Sequence, residues 1–294
     1  MKMTKQAGSL IRQTMSPSHL VRTARAAALA LALVAVSAAL HAPAAVAGNG
    51  LIWVKAKDVN LMALSPAADA EFDIKIVRGS KAISRLRAAL ITLVESSPLS
   101  ASVLEALSDK GDVFIVYDPS FPESDMTNVL GDKLAKFRPD LFDNAAELTD
   151  GIAFPVVIGR YLAKWPRNEI AAVLASEMIG HGIQHLEGRL ETMAEMDAKC
   201  EAGLYKEQVH QDLGFDKHSS LRVKFRQDLE WRWCTDFKRY MRAQRPAQMA
   251  LWKQLNPDVP KLLAEFADYV AAKRSFVTAR VQSESRAAPG RQPN

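Results

Sequence analysis

The sequence predicts an α+β domain, because strand-like and helix-like hydrophobic patterns segregate along the chain instead of alternating. Short apolar runs and period-two segments lie in the first half, whereas from residue 191 onward the apolar residues recur at helical spacing. With 294 residues, of which 48% are apolar, the chain has ample material for a buried core.

Taken in order, residues 51–54 and 71–77 have strand character, the second alternating Phe72, Ile74 and Ile76 with Asp73 and Lys75. Residues 80–95 place Ile83, Leu86, Leu90 and Leu93 at helical spacing until Ser96-Ser97-Pro98 stops the run, and 100–108 form a second, shorter helix. Residues 112–117 are a compact apolar strand that ends at Asp118-Pro119. The polar connection that follows holds one candidate helix, at 126–136. Residues 154–158 are the last strand, and Pro155 predicts an edge position for it. Asn168 then caps a helix over 169–188 that is apolar on two sides and therefore central. Residues 191–211, 219–242, 247–255 and 259–276 complete a helical second half. The tail, 278–294, is rich in Ser, Pro, Arg and Gln and lacks apolar periodicity, which predicts disorder.

A pI near 9.1 suggests basicity, but the charge is unevenly placed. Five of the 38 Lys and Arg residues and none of the 33 Asp and Glu residues fall in 1–47, so the remainder is balanced. Nucleic acid is not an expected partner. Those first residues read as an export signal: a positive region ending at Arg25, an apolar run at 26–40 too short to span a bilayer, and the small-residue cleavage site Ala45-Val46-Ala47. Cleavage would leave residues 48–294, with one domain over 48–277, in the periplasm or outside the cell and without a stable membrane anchor. Both cysteines, Cys200 and Cys234, survive cleavage. In an oxidising compartment they are a disulfide candidate, with two separate buried thiols as the alternative.

The candidate site is Glu177-Met-Ile-Gly-His181-Gly-Ile-Gln-His185, which spends two of the six histidines. Steps of four residues advance ~40° around an α-helix, so Glu177, His181 and His185 form one shallow stripe. Buried polar groups are costly unless they pair or bind a metal. On the next helix Asp197 and Glu201 lie side by side, and a carboxylate from there could join the two imidazoles.

This arrangement resembles the zincin metallopeptidases, gluzincin-like in form, over residues 154–205. Ala172-Val-Leu-Ala-Ser-Glu-Met-Ile-Gly-His181-Gly-Ile-Gln-His185 is similar to the zincin helix, and Glu195-Met-Asp197-Ala-Lys-Cys-Glu201-Ala-Gly-Leu-Tyr to the following one, whose acidic residue completes the zinc site. The resemblance implies a zinc peptidase or a relative of one. The His-Glu-x-x-His motif is degenerate in both registers: one puts Glu177 at the first histidine and Met178 at the catalytic glutamate, and the other puts Gly182 there.

Helix positions eight apart are ~12 Å apart along the axis, so Glu177, His181 and His185 do not all reach one ion. The favoured set is His181 and His185 with Asp197 or Glu201 as zinc ligands, leaving Glu177 as orienting group or general base. The other set uses Glu177 and His181, with His185 outside. Two functions follow: an exported zinc-dependent hydrolase of peptides or envelope proteins, or a non-catalytic envelope protein that keeps a degenerate metallopeptidase fold. Among the remaining features, His210 and His218 read as surface residues, and Trp231, Trp233, Phe237 and Tyr240 as core packing. Arg222, Lys224, Arg226, Arg232, Lys238 and Arg239 read as a solvated basic flank.

Overall fold

A two-residue hairpin opens the fold of the computed structural model, which describes residues 51–122, 134–143 and 151–287. Strand β1 (Ile52–Ala56) turns at Lys57 and Asp58 into the antiparallel β2 (Val59–Ala63). Both turn residues have positive φ, 49° and 60°, the backbone that a tight two-residue hairpin requires. Helices α1 (Gly79–Ser96) and α2 (Pro98–Ser108) then lead to β3 (Gly111–Tyr117), which lies parallel to β2. Strand β5 (Ile152–Ile158) is parallel to β3, and the short β4 (Ala135–Phe137) runs antiparallel along its outer side. The sheet order is β1-β2-β3-β5-β4.

Period two assigns the strand side chains to two faces. Leu61, Val113, Ile115 and Phe154 join the main core with Ile83, Leu86 and Leu90 of α1. Met62, Phe114 and Val116 form a smaller cluster with Trp53 and Phe142.

The second half begins with a long helix interrupted by a π turn: α3 (Arg167–Leu174), the π segment Ala175–Gly180, and α4 (His181–Leu186). Helix α5 (Glu195–Asp212) crosses it closely, since a Cβ on Gly180 would lie 2.5 Å from the Cα of Ala202. Next come α6 (Ser220–Asp228), a second π segment (Leu229–Trp233), α7 (Thr235–Gln244), a 3-10 helix (Pro246–Lys253) and α8 (Val259–Ala287). These elements build a second core from Leu204, Leu229, Phe237, Trp252 and Phe266, stapled by the Cys200–Cys234 disulfide. The mixed α and β architecture agrees with the predicted α+β class.

Several elements differ from expectation. Residues 71–77 are not a strand; Asp73 instead anchors this segment to Arg160, whose Nε donates to it at 2.9 Å, and to the Tyr161 hydroxyl. Residues 135 and 136, expected in a helix, belong to β4, while 126–133 lie outside the described residues. Strand β5 is interior, not an edge. Pro155 is tolerated there because its carbonyl faces the end of β4, accepting from Arg138 at 2.9 Å, where the short ladder stops and no proline N–H is needed. The tail is helical as far as Ala287, continuing α8 beyond residue 278.

Candidate functional site

Glu177 sits inside the π segment and His181 begins α4, with His185 one turn on. All three are half-buried, while Met178, Ile179, Gly180 and Gln184 between them are buried. The stripe thus has one level of burial along its length. Its members face different partners, however.

Glu177 reaches across to the edge of the sheet. Its Oε2 accepts from the backbone N–H of Phe137 at 3.2 Å. The Leu134 carbonyl accepts from Gly159, just after β5, and the Arg138 N–H donates to Pro155 of β5, so by antiparallel alternation the Phe137 N–H points the other way, and Glu177 occupies a donor on the outer side of β4. The Lys206 ammonium from α5 is within electrostatic reach of Glu177 and Glu169. Burial lowers the Lys206 pKa below the usual lysine range, with both carboxylates opposing that shift and Arg222 reinforcing it.

His185 packs its ring against Phe137 and Phe154, with centroids 5.6 and 5.8 Å away. His181 places Nδ1 2.9 Å from the Oε1 of Gln184. The amide nitrogen of the buried Gln184 donates to the Ala198 carbonyl at 2.9 Å and to Glu201 Oε2 at 3.0 Å.

The two carboxylates expected from α5 are already committed. Glu201 takes a two-pronged ion pair from Arg189, 2.7 and 2.8 Å to its two oxygens. Burial works against the Arg189 charge, but Glu201 and Glu187 outweigh it and hold its pKa above the ordinary arginine value. Asp197 faces α8, where it accepts from the Tyr269 hydroxyl at 2.9 Å and from Lys273 Nζ at 2.5 Å. Burial pushes the Tyr269 hydroxyl up to about 12. The structure thus brings Glu201 toward His181 only through Gln184 and brings Asp197 to a different neighbour.

Zinc does not fit the expected set well, because each carboxylate that would complete it carries its own cation. Among the described residues no group of three or more His, Cys, Asp and Glu side chains is placed to hold a metal ion. A groove of about 590 Å³ between α7 and α8, lined by Tyr240, Tyr269 and Phe276 among others, includes none of Glu177, His181 and His185.

Sequence reasoning missed Gln184, Lys206 and the backbone of Phe137, and it allowed Arg189 to stand with His185 and Glu187 at a solvated helix end, whereas Arg189 is buried against Glu201. It also misplaced His210 and part of the basic flank. His210 is buried, accepts from Arg222 through Nδ1 at 2.6 Å, and is pushed down to about 2 by burial first and then by Lys206 and Arg222. Arg222 and Arg226 share the fully buried Glu207, and Arg226 and Lys238 share Glu230. Of the flank read as solvated, Lys224, Arg232 and Arg239 are exposed as expected, whereas Arg222, Arg226 and Lys238 belong to a chain of alternating charges between helices. Trp231, expected in the core, is 75% exposed.

The chain matches no protein-family model, and no curated protein or solved structure matches it either.

Proposed function

We propose that this chain is a non-catalytic protein of the cell envelope that keeps a metallopeptidase-like pair of helices without their metal centre. On this reading it uses the face of Glu177, His181 and His185 to hold a peptide or protein partner. One observation carries it: Asp197 and Glu201 are each neutralised by a cation of the same chain, Lys273 and Arg189. A carboxylate held in a buried, two-pronged arginine pair gains little by leaving it for a metal. Lys206 of the same chain lies within electrostatic reach of Glu177. Export is supported by the Cys200–Cys234 disulfide, a pairing typical of oxidising compartments.

The zinc hydrolase is a second reading. It is favoured by one feature, the hydrogen bond through Nδ1 of His181, since ligating imidazoles are oriented through their other nitrogen.

Metal content of the purified mature protein, measured by mass spectrometry with and without His181→Ala, tests the proposal. We expect zinc far below one equivalent in both, and no chelator-sensitive cleavage of a peptide library. Near-stoichiometric zinc that disappears in the variant would overturn the proposal in favour of the hydrolase. In that case Glu177→Gln should abolish cleavage while retaining metal if Glu177 is the base, and should lose metal too if it is a ligand.

A further inference from the structure

We infer that Gln184 is a positioning residue that locks His181 in the Nδ1–H tautomer, so that its Nε2 lone pair faces any ligand of this site as a fixed acceptor. The argument is one of hydrogen-bond accounting. A glutamine amide has one accepting and one donating end, and the two are told apart only by their partners. One end of Gln184 faces the Ala198 carbonyl and the Glu201 carboxylate, both acceptors, at 2.9 and 3.0 Å. Turning the amide over would set its oxygen against two other oxygens inside a buried contact. The nitrogen must therefore be at that end, and the oxygen faces His181.

An amide oxygen only accepts, so the Nδ1 that lies 2.9 Å from it carries the proton. In a neutral imidazole this leaves Nε2 unprotonated. Among the described residues nothing else hydrogen-bonds to the His181 ring. The lock is itself held from behind. Glu201 cannot rotate away from Gln184, because Arg189 grips both of its oxygens, and the two side chains are about 10% and 9% exposed. The ordering of the site thus runs from Arg189 through Glu201 and Gln184 to one nitrogen of one histidine. A group that donates a hydrogen to Nε2, such as a peptide N–H, a hydroxyl or an ammonium, matches this face; a carbonyl or carboxylate does not. The inference stands apart from the proposed function, since it fixes the His181 tautomer whatever occupies the face.

Nitrogen NMR of the mature protein with labelled histidine, at a pH well above the ordinary histidine range, reads the tautomer directly. The His181 signals are assigned by their loss in His181→Gln. Free neutral imidazole side chains favour the Nε2–H form, so the wild type should show the reverse, a predominantly Nδ1–H ring. Gln184→Leu should return His181 toward the Nε2–H form. Glu201→Gln should do so in part, because it permits the amide of Gln184 to turn over without altering the ring's own neighbours. A wild-type His181 that is mainly Nε2–H overturns the inference, and so does an unchanged tautomer in a folded Gln184→Leu protein. The wild-type measurement decides the matter even if both variants fail to fold.

Discussion

Replacing Glu201 by leucine separates a metal ligand from a structural anion. The carboxylate is paired with Arg189 at 2.7 and 2.8 Å in a contact nearly closed to solvent, and it also accepts a hydrogen bond from the Gln184 amide. Removing one partner of a buried ion pair costs ~3–5 kcal/mol, mainly because the other charge is left without compensation. Here the half-exposed Glu187 still reaches Arg189, which places the ion-pair loss near the lower end, about 3 kcal/mol. The orphaned Gln184 donor adds on the order of 1 kcal/mol. Urea unfolding of the oxidised mature chain should show this as a lower midpoint with an unchanged slope. Changing both partners, Glu201→Leu with Arg189→Met, should recover most of the loss, since no charge then remains buried. A cost below ~1 kcal/mol for the single variant would refute the reasoning, because that is the worth of an ordinary neutral hydrogen bond.

Three other perturbations probe the fold around the site. The Cys200–Cys234 bridge joins residues 34 apart, so the double Cys→Ala variant should lose about 3–4 kcal/mol in urea melts; two titratable thiols in the denatured, unreduced protein would refute the bridge itself. Gly180→Ala sets a methyl 2.5 Å from the Ala202 Cα, a backbone atom that cannot step aside alone, and should destabilise by about 1–3 kcal/mol; unchanged stability would show that the helices are not in contact there. The Asp73 carboxyl is held below its ordinary range, chiefly by the Tyr161 hydroxyl and then by Arg160. Its stabilisation is complete above the unfolded pKa and is lost as pH falls through the folded one, so Tyr161→Phe should flatten the loss of stability between about pH 5 and pH 2. An acid limb as steep as the wild type would argue against that coupling.

How far the fold could be read in the sequence depended on how local its causes are. Ile83, Leu86, Leu90 and Leu93 carry the period of α1 within one segment, and the apolar run of β3 needs no partner to be seen. The hairpin at Lys57-Asp58 went unseen because the pair holds no glycine or asparagine to mark a two-residue turn, and the paired strands hold both residues in place. Residues 71–77 misled for the opposite reason: the alternation is real, but Asp73 is claimed by Arg160 and Tyr161, 87 and 88 positions away. Pro155 misled because a strand can be interior and still have one residue facing the end of a shorter neighbour.

The candidate site divides in the same way. Four-residue spacing placed Glu177, His181 and His185 on one stripe, and all three are half-buried, although a π turn changes the helical register between Glu177 and His181. Spacing also put Asp197 and Glu201 next to each other on α5. What it could not carry is that one helical turn is enough to send two carboxylates to different neighbours, Asp197 to Tyr269 and Lys273 on α8 and Glu201 to Arg189 in the turn after α4. A signal was nevertheless present. Asp197 and Glu201 neighbour the apolar Cys200 and Leu204 on α5, where buried carboxylates require cations, and Arg189 lies in the tight turn that joins the two helices. Assigning that arginine first would have removed Glu201 from the ligand set. It would also have left Gln184, buried between Glu201 and His181, as the group through which the acid acts on the histidine.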